Sequence, residues 1–285
     1  MRYCAISHNG SWRLGALDEP GETVLVYSAS AGLLDDVITS GGLDSEAVAI
    51  AKVPLADAVL GSPIQRWRRN VLCVGWNYWD HFEESKGKRE GQDPEGRPDH
   101  PTFFTKSPRT VIAPADDIEC DLTLSEQWDY EAEIAVVIGK GGKNIARADA
   151  MDHIFGYTLA NDVSVRDVQR AHGGQWFKGK SIDRTMPLGP WVTTRDEIAD
   201  LDSVRIQCEL NGKVLQDAVV GQMAFAIPML IEELSRGMTL DAGDVVLTGT
   251  PSGIGNAREP KVFLRTGDTL VTRATGLGSM TNRIR

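Results

Sequence analysis

Trp128-Asp129-Tyr130-Glu131-Ala132-Glu133-Ile134-Ala135-Val136-Val137-Ile138-Gly139 is the stretch from which the fold is read. Its second half is apolar and β-branched and closes on glycine, the composition of a buried strand. Side chains alternate along a strand, so Glu131 and Glu133 point to the same face. Two carboxylates side by side at the mouth of an apolar strand repel each other and lose hydration, so a positive partner belongs between them. The plain alternative is an edge strand whose glutamates face water. Against it stand the fully apolar continuation and a second acidic stretch, Ala160-Asn161-Asp162-Val163-Ser164-Val165-Arg166-Asp167. Three hard oxygen donors, Glu131, Glu133 and Asp162, without Cys or His nearby, suit Mg²⁺, Mn²⁺ or Ca²⁺ better than zinc.

Upstream, residues 70–75 read as a buried strand running into Trp76-Asn77-Tyr78-Trp79-Asp80-His81-Phe82-Glu83-Glu84. If that segment is helical, His81 and Glu84 share a face. A carboxylate beside an imidazole raises its basicity and fixes its tautomer, as a general base requires. An incidental surface pair fits the spacing equally well. Residues 83–100 are charged and rich in Gly and Pro, too polar to bury, and are expected to be a mobile lid or a plain surface loop. A short strand over 101–106 ends in Lys106.

Downstream, a strand over 154–159 delivers Asp162. Ser164 reads as the N-cap of a helix on which Arg166 and Gln169 face together. Residues 176–190 are broken up by Gly and Pro and carry Lys178, Lys180 and Arg184. Residues 244–255 are a strand followed by a glycine loop whose N–H groups suit an anion such as a carboxylate. Asn211-Gly212 predicts a type I′ hairpin, and residues 224–236 a helix with Pro228 in its first turn or at a kink.

Residues 1–65 read as a small separate α+β unit. His8-Asn9-Gly10 marks a hairpin, a third strand follows near 24–27, and two short helices are expected around 33–39 and 45–51. Gly61-Ser62-Pro63 is the expected linker into a main domain over 66–285. At 285 residues the chain can bury a sizeable core. Its net charge of −10, spread along the sequence, argues against a nucleic-acid partner. No apolar run reaches the length of a membrane span, and the first residues lack the apolar core of a signal peptide. Four scattered cysteines without a Cys-x-x-Cys pair suit a reduced, cytoplasmic protein. Neither Gly-x-Gly-x-x-Gly nor Gly-x-Ser-x-Gly occurs, which argues against a dinucleotide enzyme and a serine hydrolase.

Taken together, five motifs carry a family resemblance. They are Asn77-Tyr78-Trp79-Asp80-His81, Tyr130-Glu131-Ala132-Glu133, Asn161 through Asp167, Lys180-Ser181-Ile182-Asp183 with Pro187-Leu188-Gly189-Pro190, and Thr248-Gly249-Thr250-Pro251-Ser252-Gly253. In this order, over roughly residues 70–285, they resemble the fumarylacetoacetate hydrolase family. The resemblance implies a mostly β, α+β fold, a mixed β-sheet roll with a small N-terminal domain, together with a divalent metal and a homodimer. It implies Glu131, Glu133 and Asp162 as metal carboxylates and Lys180 as the active-site lysine. It implies His81 and Glu84 as the base and its orienter in acylpyruvase-like members. It also implies substrate contacts at Lys106, Arg166, Gln169 and Thr250. Residues 85–100 depart from the pattern of short members, being longer and more polar.

The implied chemistry is an enolate. A 2-oxo acid chelated to Mg²⁺ through its carboxylate and keto oxygen develops negative charge that the metal and Lys180 stabilise. For a 2,4-dioxo acid, His81 would activate water for C–C hydrolysis. The same electron sink serves oxaloacetate decarboxylation and keto–enol or dienoate isomerisation. A catalytically silent metal-binding protein of this fold is the rival from another class.

Overall fold

Ala132–Ile138 is buried at every position and pairs on both edges, with Ile154–Asn161 and Val245–Leu247. Its alternation splits it between two cores. Ile134, Val136 and Ile138 enter one; Ala135 and Val137 enter the other. A strand covered on both faces requires such an unbroken apolar run. The computed structural model describes residues 1–88 and 95–285.

Around this strand lies a mixed, mostly antiparallel sheet. From one edge its order is Ala49–Pro54, Thr23–Tyr27, Ser11–Leu17, Arg2–His8, Met186–Thr194, Ile154–Asn161, Ala132–Ile138, Val245–Leu247, Val71–Gly75 and Thr102–Lys106. The Val245–Leu247 and Val71–Gly75 pair is parallel. A second, four-stranded sheet, Lys213–Val219, Arg205–Leu210, Thr269–Ala274 and Gly278–Arg283, packs its Ile206, Cys208, Leu270 and Met280 against Ile134 and Val136. The fold is therefore mostly β with short helices, as expected.

Residues 1–65 join this sheet edge-on, because Arg2–His8 pairs with Met186–Thr194. Both Asn-Gly turns form with the positive φ that type I′ needs: 50° and 73° at Asn9 and Gly10, 52° and 81° at Asn211 and Gly212. The helix Leu34–Ser40 forms, but the second expected helix does not. Ala49–Pro54 is instead an outer strand paired to Thr23–Tyr27. An exposed sheet edge offering backbone partners overrides the local helical preference of a short Ala-rich segment, and Pro54 closes the strand.

Ser164 also departs from expectation. Ser164–Val165 is an extended pair bonded to Trp128–Asp129, and the helix Arg166–Ala171 begins only afterwards, with no side-chain cap. The Ser164 hydroxyl donates to the Asp162 carbonyl at 2.8 Å. The organising stretch is likewise not one strand. It breaks at Tyr130 and Glu131, where the Glu131 N–H donates to Asn161 Oδ1 at 2.9 Å.

Asn77 ties three segments together in full burial. Its amide donates to the carbonyls of Phe225 (3.1 Å) and Thr248 (2.8 Å) and accepts from the Phe225 N–H (2.8 Å). Asn77→Ala leaves these backbone groups without partners and is expected to lower stability by ~3 kcal/mol. Denaturant titration should move the midpoint at constant slope; a change below ~1 kcal/mol would refute this role.

Among the described residues no helix is long and apolar enough to cross a membrane. All four cysteines are buried thiols.

Candidate active site

Four buried carboxylates, Asp129, Glu131, Glu133 and Asp162, meet three buried cations, Lys106, Arg166 and Lys180. Glu131, Glu133 and Asp162 each offer an oxygen within 4.8 Å of the others. The break at Tyr130–Glu131 and the strand end at Asn161 bring them together. Lys180 Nζ bridges two of them, 2.6 Å from Glu131 Oε2 and 2.8 Å from Asp162 Oδ2. It reaches them from the four-residue helix Phe177–Lys180, which lies against Arg166–Ala171. A Cβ at Gly179 would come within 2.3 Å of the Gln169 nitrogen, so only glycine allows that approach.

Arg166 Nη2 holds Glu131 Oε1 at 2.5 Å and Arg166 Nε holds Asp129 Oδ2 at 2.8 Å. Its remaining nitrogen donates to Gln169 Oε1 at 3.1 Å, so the expected shared face of Arg166 and Gln169 is present. Lys106 is wholly buried, 2.6 Å from Asp162 Oδ1 and donating to the Val163 carbonyl. It stands behind Asp162 and is not part of the cavity walls described below.

Burial works against charge on Glu131, but Lys180 and Arg166 outweigh it and hold its carboxyl at about 2. Glu133 is driven the other way. Burial, then Asp162 and Glu131, push it well above the usual carboxylate range, with Lys180 and the Gly249 amide opposing. Among the described residues only that amide, at 2.6 Å, is bonded to its Oε2. Among the described residues, Asp162 Oδ1 touches Lys106 yet accepts no properly directed hydrogen bond. A carboxylate biased against its own charge and a buried oxygen with a spare lone pair are what a divalent cation satisfies. The all-oxygen donor set fits a hard ion.

His81 Nδ1 lies 2.9 Å from Glu84 Oε1, and Glu84 Oε2 accepts from the Gly253 N–H at 2.8 Å. The helix Trp79–Glu84 therefore presents the pair as the three-residue spacing requires. The bond to Glu84 leaves Nε2 as the nitrogen available for chemistry.

The glycine loop after Val245–Leu247 does meet anions, but they are the protein's own. Its amides at Gly249, Gly253 and Gly255 bond Glu133, Glu84 and Asp129. Thr250 donates to the Ala132 carbonyl, accepts from Gln216, and lines the carboxylate chamber. Asp129 was not singled out from sequence. It accepts from Arg166, Gly255 and Asn256 and so fixes both the loop and the arginine. The signal was present: 129, 131 and 133 alternate onto one face.

Two chambers open here. The inner one, about 40 Å³, is lined by Glu131, Glu133, Lys180 and Thr250. The outer one, about 430 Å³, shares Trp76, His81, Phe104, Arg166, Gln169 and Trp176 with it. Trp176 stacks edge-on against Trp76 (4.9 Å between centroids) and Phe104 (5.2 Å), and Lys180 Nζ lies 5.1 Å from the Phe104 ring centre. Of the expected lid, residues 89–94 lie outside the described residues. Its flanks are tied down by Arg97 to Glu83 at 2.9 Å and by Lys88 to the Ala257 carbonyl.

The family model for the fumarylacetoacetate (FAA) hydrolase C-terminal region matches residues 70–285. The chain belongs to the fumarylacetoacetate hydrolase family. Among family relatives, oxaloacetate tautomerase YisK of Bacillus subtilis (strain 168) is 42% identical over 230 residues, covering 81% of this chain and 74% of that protein. A solved fumarylacetoacetate hydrolase from Exiguobacterium antarcticum superposes with a TM-score of 0.86 at 33% identity, covering 100% of this chain and 99% of that one. The 5-carboxymethyl-2-hydroxymuconate delta-isomerase from Mycobacterium smegmatis gives 0.81 at 31%, with the same coverage. Family members thus include hydrolases, isomerases and tautomerases, and in this member the carboxylate cluster is one that can hold a divalent metal.

Proposed function

We propose that this protein is a divalent-cation-dependent enzyme that interconverts the keto and enol forms of a 2-oxo acid of the oxaloacetate type. One observation carries the reading: His81, held by Glu84, lines the same small cavity as Glu131 and Glu133 of the three-carboxylate cluster. The tautomerase activity named for the 42%-identical relative supports this choice of reaction.

A bound Mg²⁺, or Mn²⁺ or Ca²⁺, would supply a Lewis acid that stabilises negative charge on a keto oxygen. Glu131, Glu133 and Asp162 would hold it. His81 Nε2 takes a proton from the carbon beside the keto group and returns it, while Glu84 holds the ring and stabilises its charged form. Lys180 adds a fixed positive charge beside Glu131 and Asp162. Arg166, Gln169 and Thr250 orient the acid, and Lys106 acts from behind, through Asp162. The aromatic wall of Trp76, Phe104 and Trp176 limits water. The homodimer implied by family resemblance belongs to the same proposal.

Hydrolysis of a 2,4-dioxo acid is the second reading, favoured by the outer chamber, which has room for an acyl tail and a water. With oxaloacetate and Mg²⁺, the enol absorbance is expected to decay faster than in buffer, with solvent deuterium entering C3. Acylpyruvates should release pyruvate if the second reading holds. No acceleration with any 2-oxo acid, in the presence of divalent cation, would leave a silent binding protein.

A further inference from the structure

A further cavity lies away from the active site. It measures about 500 Å³, within the range of small-molecule sites, and shares no lining residue with either active-site chamber. Met151, Leu201, Val220, Met223 and Ile227 give it apolar walls. Backbone bonds hold those walls in place: the Val220 N–H donates to the Val204 carbonyl and the Gly221 N–H to the Asp202 carbonyl, both at 3.0 Å. Tyr157, from the strand Ile154–Asn161, also lines the cavity and is only 1% exposed. Its hydroxyl is buried and, among the described residues, has no hydrogen-bond partner. Burial pushes the phenol up to about 12, with Arg195 opposing, so it keeps its proton and remains a donor. Charges of both signs border the same space. Arg195, Asp200 and Asp202 line it together, and Arg195 already donates to Asp152 at 3.1 Å.

We propose that this cavity is a second ligand site, and that it takes a small, neutral aromatic ketone or ester whose carbonyl oxygen accepts from the Tyr157 hydroxyl. A buried donor left unbonded costs the full desolvation of that group, and an acceptor on a ligand removes the cost. Charge selects against the other classes. Asp200 and Asp202 repel an anion, Arg195 repels a cation, and a protonated phenol offers neither a charge to pair with. The apolar walls cover the body of the ligand. Two thioethers among them, Met151 and Met223, suit an aromatic ring. This site stands whether or not the enolate chemistry holds, since it shares no residue with the carboxylate cluster.

Benzophenone is the probe, a neutral ketone flanked by two rings. Its methylene analogue has the same shape, with C=CH₂ in place of C=O. In equilibrium dialysis, wild type is expected to bind the ketone about 5-fold more tightly, the gain from one neutral hydrogen bond. Tyr157→Phe removes an oxygen that no described residue bonds, so the fold should hold and the preference should vanish. Under near-ultraviolet light the ketone oxygen takes a hydrogen from a nearby C–H and the two carbons join, giving a tertiary alcohol of the summed mass. Peptide mapping of the full chain should place that adduct at Met151 or Met223, a readout that needs no variant. Equal binding of the two compounds by wild type overturns the proposal, as does a preference unchanged in Tyr157→Phe. Adducts confined to the outer chamber of the active site overturn it too. So does loss of labelling at both methionines as the protein associates, which gives this face to a second copy of the chain.

Discussion

Glu133→Gln is expected to abolish divalent-cation binding and, with it, nearly all turnover. Glu133 is the cleanest probe of the cluster because, among the described residues, its Oε2 is bonded to a single neutral donor, the Gly249 N–H. Glutamine keeps an oxygen for that amide and has nearly the same shape, so the fold should tolerate it. What it removes is the ability to become a carboxylate beside Glu131 and Asp162 when a cation binds. Cation affinity should fall by ~100-fold or more, measured by calorimetric titration with Mg²⁺ or Mn²⁺. A Lewis acid contributes several kcal/mol to an enolate-forming step, so kcat/KM should fall on the order of a thousandfold. Glu131 would be a poorer choice. It is also held by Lys180 and Arg166, and its loss strands two buried cations. Full turnover by Glu133→Gln under excess chelator would remove the metal from the scheme.

His81→Asn should separate base from cation. His81 is outside the metal-competent cluster, so cation affinity should hold while kcat falls by roughly 10²- to 10⁴-fold, the range for loss of a general base. Glu84→Gln should give a smaller loss, since it keeps the ring oriented but no longer favours its charged form. The Gly253 amide would still find an oxygen there. Enol decay of oxaloacetate and pyruvate release from an acylpyruvate should be followed in parallel. If His81 handles the proton in both reactions, both fall together. Survival of enol decay with loss of hydrolysis would assign His81 to water alone. A weakened cation in His81→Asn would contradict the separation of the two groups.

Several features were legible because they depend on local pattern. Alternation put Glu131 and Glu133 on one face, helical spacing paired His81 with Glu84, and Asn-Gly fixed two turns. The expected second helix at 45–51 and the cap at Ser164 do not form, because a neighbouring strand supplies backbone partners that local preference does not anticipate. The glycine loop was read correctly as an anion holder, but its anions, Glu133, Glu84 and Asp129, come from far along the chain.

By itself, then, the sequence determined the central buried strand, the three hard oxygen donors and the imidazole–carboxylate pair. These follow from side-chain type and short-range periodicity, which any segment carries with it. Only the tertiary structure decided that Lys106 stands behind Asp162 and that Asp129 holds Arg166 to the loop. Those outcomes depend on contacts between residues separated by tens of positions. Their cause is burial: once water is excluded, each charge must find a partner in space, and chain order says little about which one it meets.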